Sequence, residues 1–225
     1  LRPFNGGILT VSPADTPVFL AVPGHAGGGA FSLRATRGPG LPEATFVIPA
    51  WRLTPSGFIA TLDGRAALDF GLARRIVLQT RGELRSSGSR LAYFADRCIP
   101  LTVGQLELGE SDLVDVAGDI CPVARPLVSV AGGLWRADGA LRRLGASAPV
   151  LSLRLSDTEG GFTANGGSGG LSMEARIVRA TVTDATSPLR FHPLTPTGSA
   201  RLADAGWTGD FDLVQIGRAS CRARV

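Results

Sequence analysis

The chain has 225 residues, and its 23 basic residues, every one an arginine, stand against 19 acidic ones for a net charge of +4. A hydrophobic content of 44% is too high for a disordered segment, and 30 glycines with 15 prolines are too many for a helical bundle yet lack the period of a collagen. No apolar run reaches the ~18 residues of a membrane-spanning helix, and the isolated pairs Arg74–Arg75 and Arg142–Arg143 form no clustered basic footprint, which excludes nucleic acid as a partner.

Residues 1–56 read as an irregular lead-in of strand and loop, with the glycine-rich residues 23–29 as a loop. From residue 57 one theme repeats: a strand of about five to ten residues, then a turn marked by Gly, Asp or Pro. Residues 57–62, with Phe58 near their start, lead to Asp63-Gly64, beyond which Ala66, Leu68 and Phe70 alternate with Arg65, Ala67 and Asp69. Residues 71–85 hold good helix formers, but Leu72, Ile76, Val77 and Leu78 make no continuous helical stripe. Residues 140–146 have room for one helical turn.

Period-two patterning is cleanest where Leu151, Leu153 and Leu155 face one way and Ser152, Arg154 and Ser156 the other, and it returns where Leu171, Met173 and Ala175 oppose Ser172, Glu174 and Arg176. Asp63-Gly64, Asp138-Gly139 and Asn165-Gly166 are expected to form two-residue hairpin turns, because glycine tolerates the positive φ of such turns. Pro42, Pro49, Pro55, Pro188, Pro193 and Pro196 are expected at strand ends or in loops. The fold class is all-β, an antiparallel meander of about twelve to fourteen strands. Its apolar face is either one wall of a curved, taco-like groove or the inside of a β-sandwich.

Cys98 and Cys121 stand in similar settings beside Ile and Pro, and the segment between them reads as a meander that returns to its start. A disulfide is favoured over two buried thiols; it would contribute about 3 kcal/mol and imply an oxidising compartment. Glu107, Glu110, Asp112 and Asp115 read as a charged, solvated edge rather than a calcium site. With His25 and His192 the only histidines and no ligand-like cysteine pair, neither a metal nor another cofactor is expected.

Residues 166–170 match the Gly-x-Ser-x-Gly nucleophile pattern around Ser168, with Asp184 and His192 following in hydrolase order. That nucleophile needs a strand–turn–helix context, whereas the residues after Ser168 alternate as a strand. A flexible hairpin loop is the simpler reading, and the chain is not expected to be an enzyme.

Residues 216–225 resemble the translation of a sequencing adapter, departing only at Ala223, where that string carries Glu. On that reading they stand outside the fold. Arg218, Arg222 and Arg224 then leave the count, so that 20 basic residues face 19 acidic ones, and Cys221 leaves with them. The chain is divided accordingly into a lead-in at 1–56, a repetitive β domain at 57–214 and a tail at 215–225, and it reads as a fragment of a longer protein.

The meander, the phrases at residues 101–109 and 118–122, and the phrase at 196–202 followed by 207–211 resemble the AsmA-like periplasmic proteins, in particular the YdbH branch with its dicarboxylate-transport label. The resemblance spans residues 57–214 and rests on structural repeats, not on catalytic signatures. It implies a twisted sheet around an apolar groove in a periplasmic protein anchored to the inner membrane by a segment outside this chain. It further implies phospholipid acyl chains as the partner, sliding between the inner and outer membranes, with membrane proteins possible at the ends of the full-length chain. Groove residues would then be Leu151, Leu153, Leu155, Leu171 and Met173, with Phe58, Leu68 and Phe70 behind them. The competing expectation is a structural or interaction protein of the cell envelope without a groove, adhesin-like or a secretion-system component of the GspN type.

Overall fold

A computed structural model describes residues 8–13, 28–36, 42–109, 111–167, 170–203, 206–215 and 221–224. The described residues contain fifteen β-strands and no helix. In chain order these are β1 (Ile8–Pro13), β2 (Gly28–Thr36), β3 (Glu43–Thr54), β4 (Gly57–Phe70), β5 (Ala73–Ser87), β6 (Arg90–Ala95), β7 (Ile99–Leu106) and β8 (Leu113–Cys121). They continue with β9 (Val128–Ala131), β10 (Leu134–Ala148), β11 (Leu153–Gly167), β12 (Gly170–Asp184), β13 (Leu194–Ala203), β14 (Gly206–Gln215) and β15 (Cys221–Arg224).

All fifteen belong to one antiparallel sheet. Neighbours in sequence are neighbours in space except in the middle, where the ladder splits. The end of β5 near Ser87 pairs with β6, which pairs with β9 and so reaches β10. The end near Ala73 pairs with β7, which reaches the other half of β10 through β8. Cys98 and Cys121 are disulfide-bonded and tie together the inner ends of β7 and β8, in the middle of the sheet where the ladder splits. The first three strands pair in register with one another and with β4, so the sheet extends well before residue 57.

The expected hairpin turns fall elsewhere. Asp63-Gly64 lies within β4, Asp138-Gly139 within β10 and Asn165-Gly166 within β11. These glycines lie opposite aromatic residues: Phe46 opposite Gly64, Phe162 opposite Gly139 and Trp135 opposite Gly166. Each ring occupies the space a side chain on its glycine would need. The glycine makes room for a cross-strand aromatic, not for a positive φ. The turns that do reverse the chain include Gly71, with φ 55°, and the Gly132-Gly133 pair.

No helical turn forms at residues 140–146, which belong to β10. The helical spacing there has another cause. Arg142 and Arg143 are both exposed, and the register slips between Leu141 and Leu144, so these leucines share one face three residues apart. Such an extra residue is a β-bulge, which bends its strand and increases its twist. Equivalent irregularities recur across the sheet. Arg75 (φ 54°), Asp115 (φ 52°), Arg143 (φ 51°) and Asp157 (φ 52°) adopt the left-handed conformation on β5, β8, β10 and β11. The apolar spacing changes from two to three at each one: Ala73 and Ile76, Leu113 and Val116, Leu141 and Leu144, Leu155 and Thr158. This band of bulges curls the sheet.

The core is thin. Among the described residues below a tenth exposed, alanines are the most numerous, and Thr158 is the one side chain larger than alanine below 2%. Substantial contacts between strands follow the hydrogen-bonded ladder. All fifteen strands belong to that one sheet, and among the described residues no second sheet covers its apolar face.

Candidate functional site

Residues directly opposite in an antiparallel ladder share a face, so the registers assign faces along the sheet. One face is largely apolar, with Thr80 and Tyr93 hydrogen-bonded to each other among its few polar side chains. It carries Ala35, Ala44, Ala66 and Leu68 on β2–β4, with Phe46 and Leu78 packed among them. It continues through Val103, Val116 and Ala146 on β7, β8 and β10, with Ile76, Leu101 and Leu155 around them. The opposite face carries Arg65, Arg81, Arg154, Glu174, Arg176 and Arg201. Ion pairs there join Arg143 to Asp119 at 2.5 Å and Arg179 to Glu159 at 2.5 Å.

The apolar face deepens into a cavity of about 450 Å³ over β11–β14. Leu153, Leu155 and Thr158 line it from β11, and Ile177, Ala180 and Val182 from β12. Leu194 and Pro196 of β13 and Phe211 and Leu213 of β14 form its far wall. Thr158 is the single lining residue with a side-chain heteroatom. It is 1% exposed, and its Oγ1 has no hydrogen-bond partner.

Phe191 lines the cavity from the loop between β12 and β13. That loop is pinned by Asp184, whose side chain is inaccessible to solvent. Arg190 donates to Asp184 from its guanidinium at 2.8 and 3.1 Å, and Thr186 donates its hydroxyl at 2.8 Å and its N–H at 3.0 Å. Arg190 also donates to the Leu151 carbonyl at 2.7 Å, which ties the loop to the β10–β11 turn. The Arg190 guanidinium, helped by the Arg190 and Thr186 N–H groups and the Thr186 hydroxyl, holds the Asp184 carboxyl well below the usual carboxylate range.

The sequence-derived residues divide. Leu153 and Leu155 line the cavity. Leu171 and Met173 lie on the same face of β12, opposite Gly166 and Ala164. Phe58 and Leu68 lie on that face of β4, opposite Leu53 and Ile76. Phe70 ends β4 with its ring 5.6 Å from that of Trp135. Leu151 departs from expectation: it sits in the β10–β11 turn, 45% exposed, before the strand begins. The Ser152 N–H bonds back to the Pro149 carbonyl there, and Ser152 has φ 53°, so the alternation visible in sequence starts two residues before the strand does.

Several lining residues escape a sequence reading. Ile177 and Ala180 are separated by the exposed pair Val178 and Arg179, which breaks the alternation. Pro196 lies within β13 and Pro49 within β3, where a proline signals a strand end or a loop. Pro49 coincides with a register slip against β4, as strand prolines do.

Trp135 also lines an open pocket of about 450 Å³ that bears Ser129, Arg136, Asn165 and Ser172. The hydrolase pattern is not assembled among the described residues. Ser168 and His25 lie outside them, Asp184 is occupied by Arg190 and Thr186, and His192 is exposed. In the acidic group, Glu110 lies outside the described residues, Glu107 pairs with Arg74 at 2.8 Å, and Asp112 accepts from Gln105 at 2.8 Å. Among the described residues no three His, Cys, Asp or Glu side chains converge as metal ligands. Residues 216–220 and 225 of the tail lie outside the description, and 221–224 pair with β14. Comparison with family models, with curated proteins and with solved structures gives no match.

Proposed function

We propose that the chain holds lipid acyl chains along the apolar face of its sheet, as part of a protein that moves phospholipids between the two membranes of a cell envelope. The observation that carries this reading is a largely apolar face on the single sheet of the described residues, deepening to a cavity whose lining is hydrocarbon except for Thr158. A trough of this kind replaces water around a lipid tail, and each methylene buried there is worth about 0.8 kcal/mol. Such work calls for shape and apolar surface, not for a nucleophile or a cofactor. The disulfide supports an oxidising compartment such as the periplasm.

The test is mass spectrometry of lipid extracted from the purified chain and from Leu153→Asp. Phospholipid should accompany the parent and be largely lost from the variant, with the far-ultraviolet strand signal unchanged. A lipid-free parent would overturn the proposal in favour of a structural or protein-binding role. Global unfolding of the variant would show that Leu153 belongs to a sealed core.

A further inference from the structure

Phe70 and Trp135 touch across the trough, although β5, β6 and β9 lie between their strands. Phe70 is the last residue of β4, on the rim that also carries the β10–β11 turn and the β12–β13 loop. Trp135 is the second residue of β10, on the opposite rim with the β5–β6 and β9–β10 turns. Their rings meet edge to face, with centroids 5.6 Å apart and planes at 68°. Gly71, next to Phe70, also lies near β12: a side chain begun on it would come within 3.3 Å of Leu171. The Phe70–Trp135 pair thus joins opposite rims, as the curl imposed by the bulges allows. The strands bridged over, from β5 to β10, carry the apolar floor around Val103, Val116 and Ala146.

We infer that this ring contact forms a clasp that closes the trough at one point. An acyl chain passes beneath it, and a bulky polar headgroup passes when it opens. The inference rests on the lipid reading above. The clasp is built to part. Phe70 is 50% exposed and the neighbouring Leu134 61%, so water reaches the contact. An edge-to-face ring pair is a weak interaction. No ladder hydrogen bond joins β4 to β10, so parting the rims breaks no backbone pairing.

The test uses Phe70→Cys with Trp135→Cys in a Cys221→Ser background, where Cys98 and Cys121 remain disulfide-bonded. A short bis-maleimide locks the rims together. The probes are a fluorescent fatty acid and a headgroup-labelled phosphatidylethanolamine, each released from the loaded chain to phosphatidylcholine vesicles. Locking should slow phospholipid release by about tenfold and leave fatty-acid release within about twofold, an effect confined to the off-rate. Trp135→Ala, which needs no chemistry, should speed phospholipid release. Equal release from locked and unlocked chains, or failure of the cross-link to form, would overturn the clasp and leave the lipid reading standing. A chain that takes up neither probe would remove both.

Discussion

Two residues next to the cavity show how local chemistry and stability are connected. Thr158 hides a hydroxyl that finds no partner, and an unsatisfied buried hydroxyl costs about 1–3 kcal/mol. Valine has the same branched shape and no such group. Thr158→Val should therefore stabilise the chain by about 1 kcal/mol, read as a higher urea midpoint at unchanged slope. Asp184 is the opposite case, a buried carboxylate with its acceptor sites filled by Arg190 and Thr186. Its pKa is lowered by folding, so its contribution is complete above the unfolded carboxylate value near pH ~3.9 and is lost as pH falls toward the folded value. Asp184→Asn should melt earlier than the parent at neutral pH, and the gap should close as pH drops below ~4. A gap that stayed constant down to pH ~2 would mean that the charge contributes nothing. The same substitution should loosen Phe191 over the cavity, because Arg190 would lose the partner that holds its loop.

Among the elements, bulges decide what a reader of the sequence can and cannot see. Where a strand is regular, as in residues 171–176, two-residue alternation marks the apolar face, and Leu171 and Met173 are found on it. Where a bulge intervenes, two outward residues come in succession and the spacing becomes three. That spacing suggests a helical turn at 140–146 and conceals Ile177 and Ala180. Glycine misleads for a related reason. Asp-Gly and Asn-Gly announce turns only when glycine is there for its conformation, and here it is there because Phe46, Phe162 and Trp135 need the space opposite. The cysteines were legible because their pairing follows from the meander between them. The bond spans 23 residues and joins β7 to β8, the short pair that fills one half of the split ladder. Closing a loop of that length is worth about 3 kcal/mol. Cys98→Ser with Cys121→Ser should lower stability by about that amount in denaturant titration, and protease should cut first beside the lost bond, between β6 and β7 or between β8 and β9.

For the whole molecule, the question is whether the apolar face is a surface or an interior. The described strands form one sheet, and an open sheet differs from one sealed on its apolar face in what a charge placed there does. Adjacent residues of β12 turn that difference into an experiment. Val182 lines the cavity, whereas its neighbour Thr181, opposite Ser156, faces the other way. Aspartate at position 181 should change neither lipid binding nor folding. At position 182 it puts a charge in the path of an acyl chain. In an open trough that charge stays within reach of water, so the chain should remain folded, with a loss of stability of about 2 kcal/mol or less, while lipid binding falls by tenfold or more. In a sealed interior the same charge would have neither partner nor solvent, and the cooperative fold would be lost outright. Unfolding titrations and lipid uptake measured side by side on Thr181→Asp and Val182→Asp therefore separate the two architectures, because only an open face lets binding fail while the fold survives.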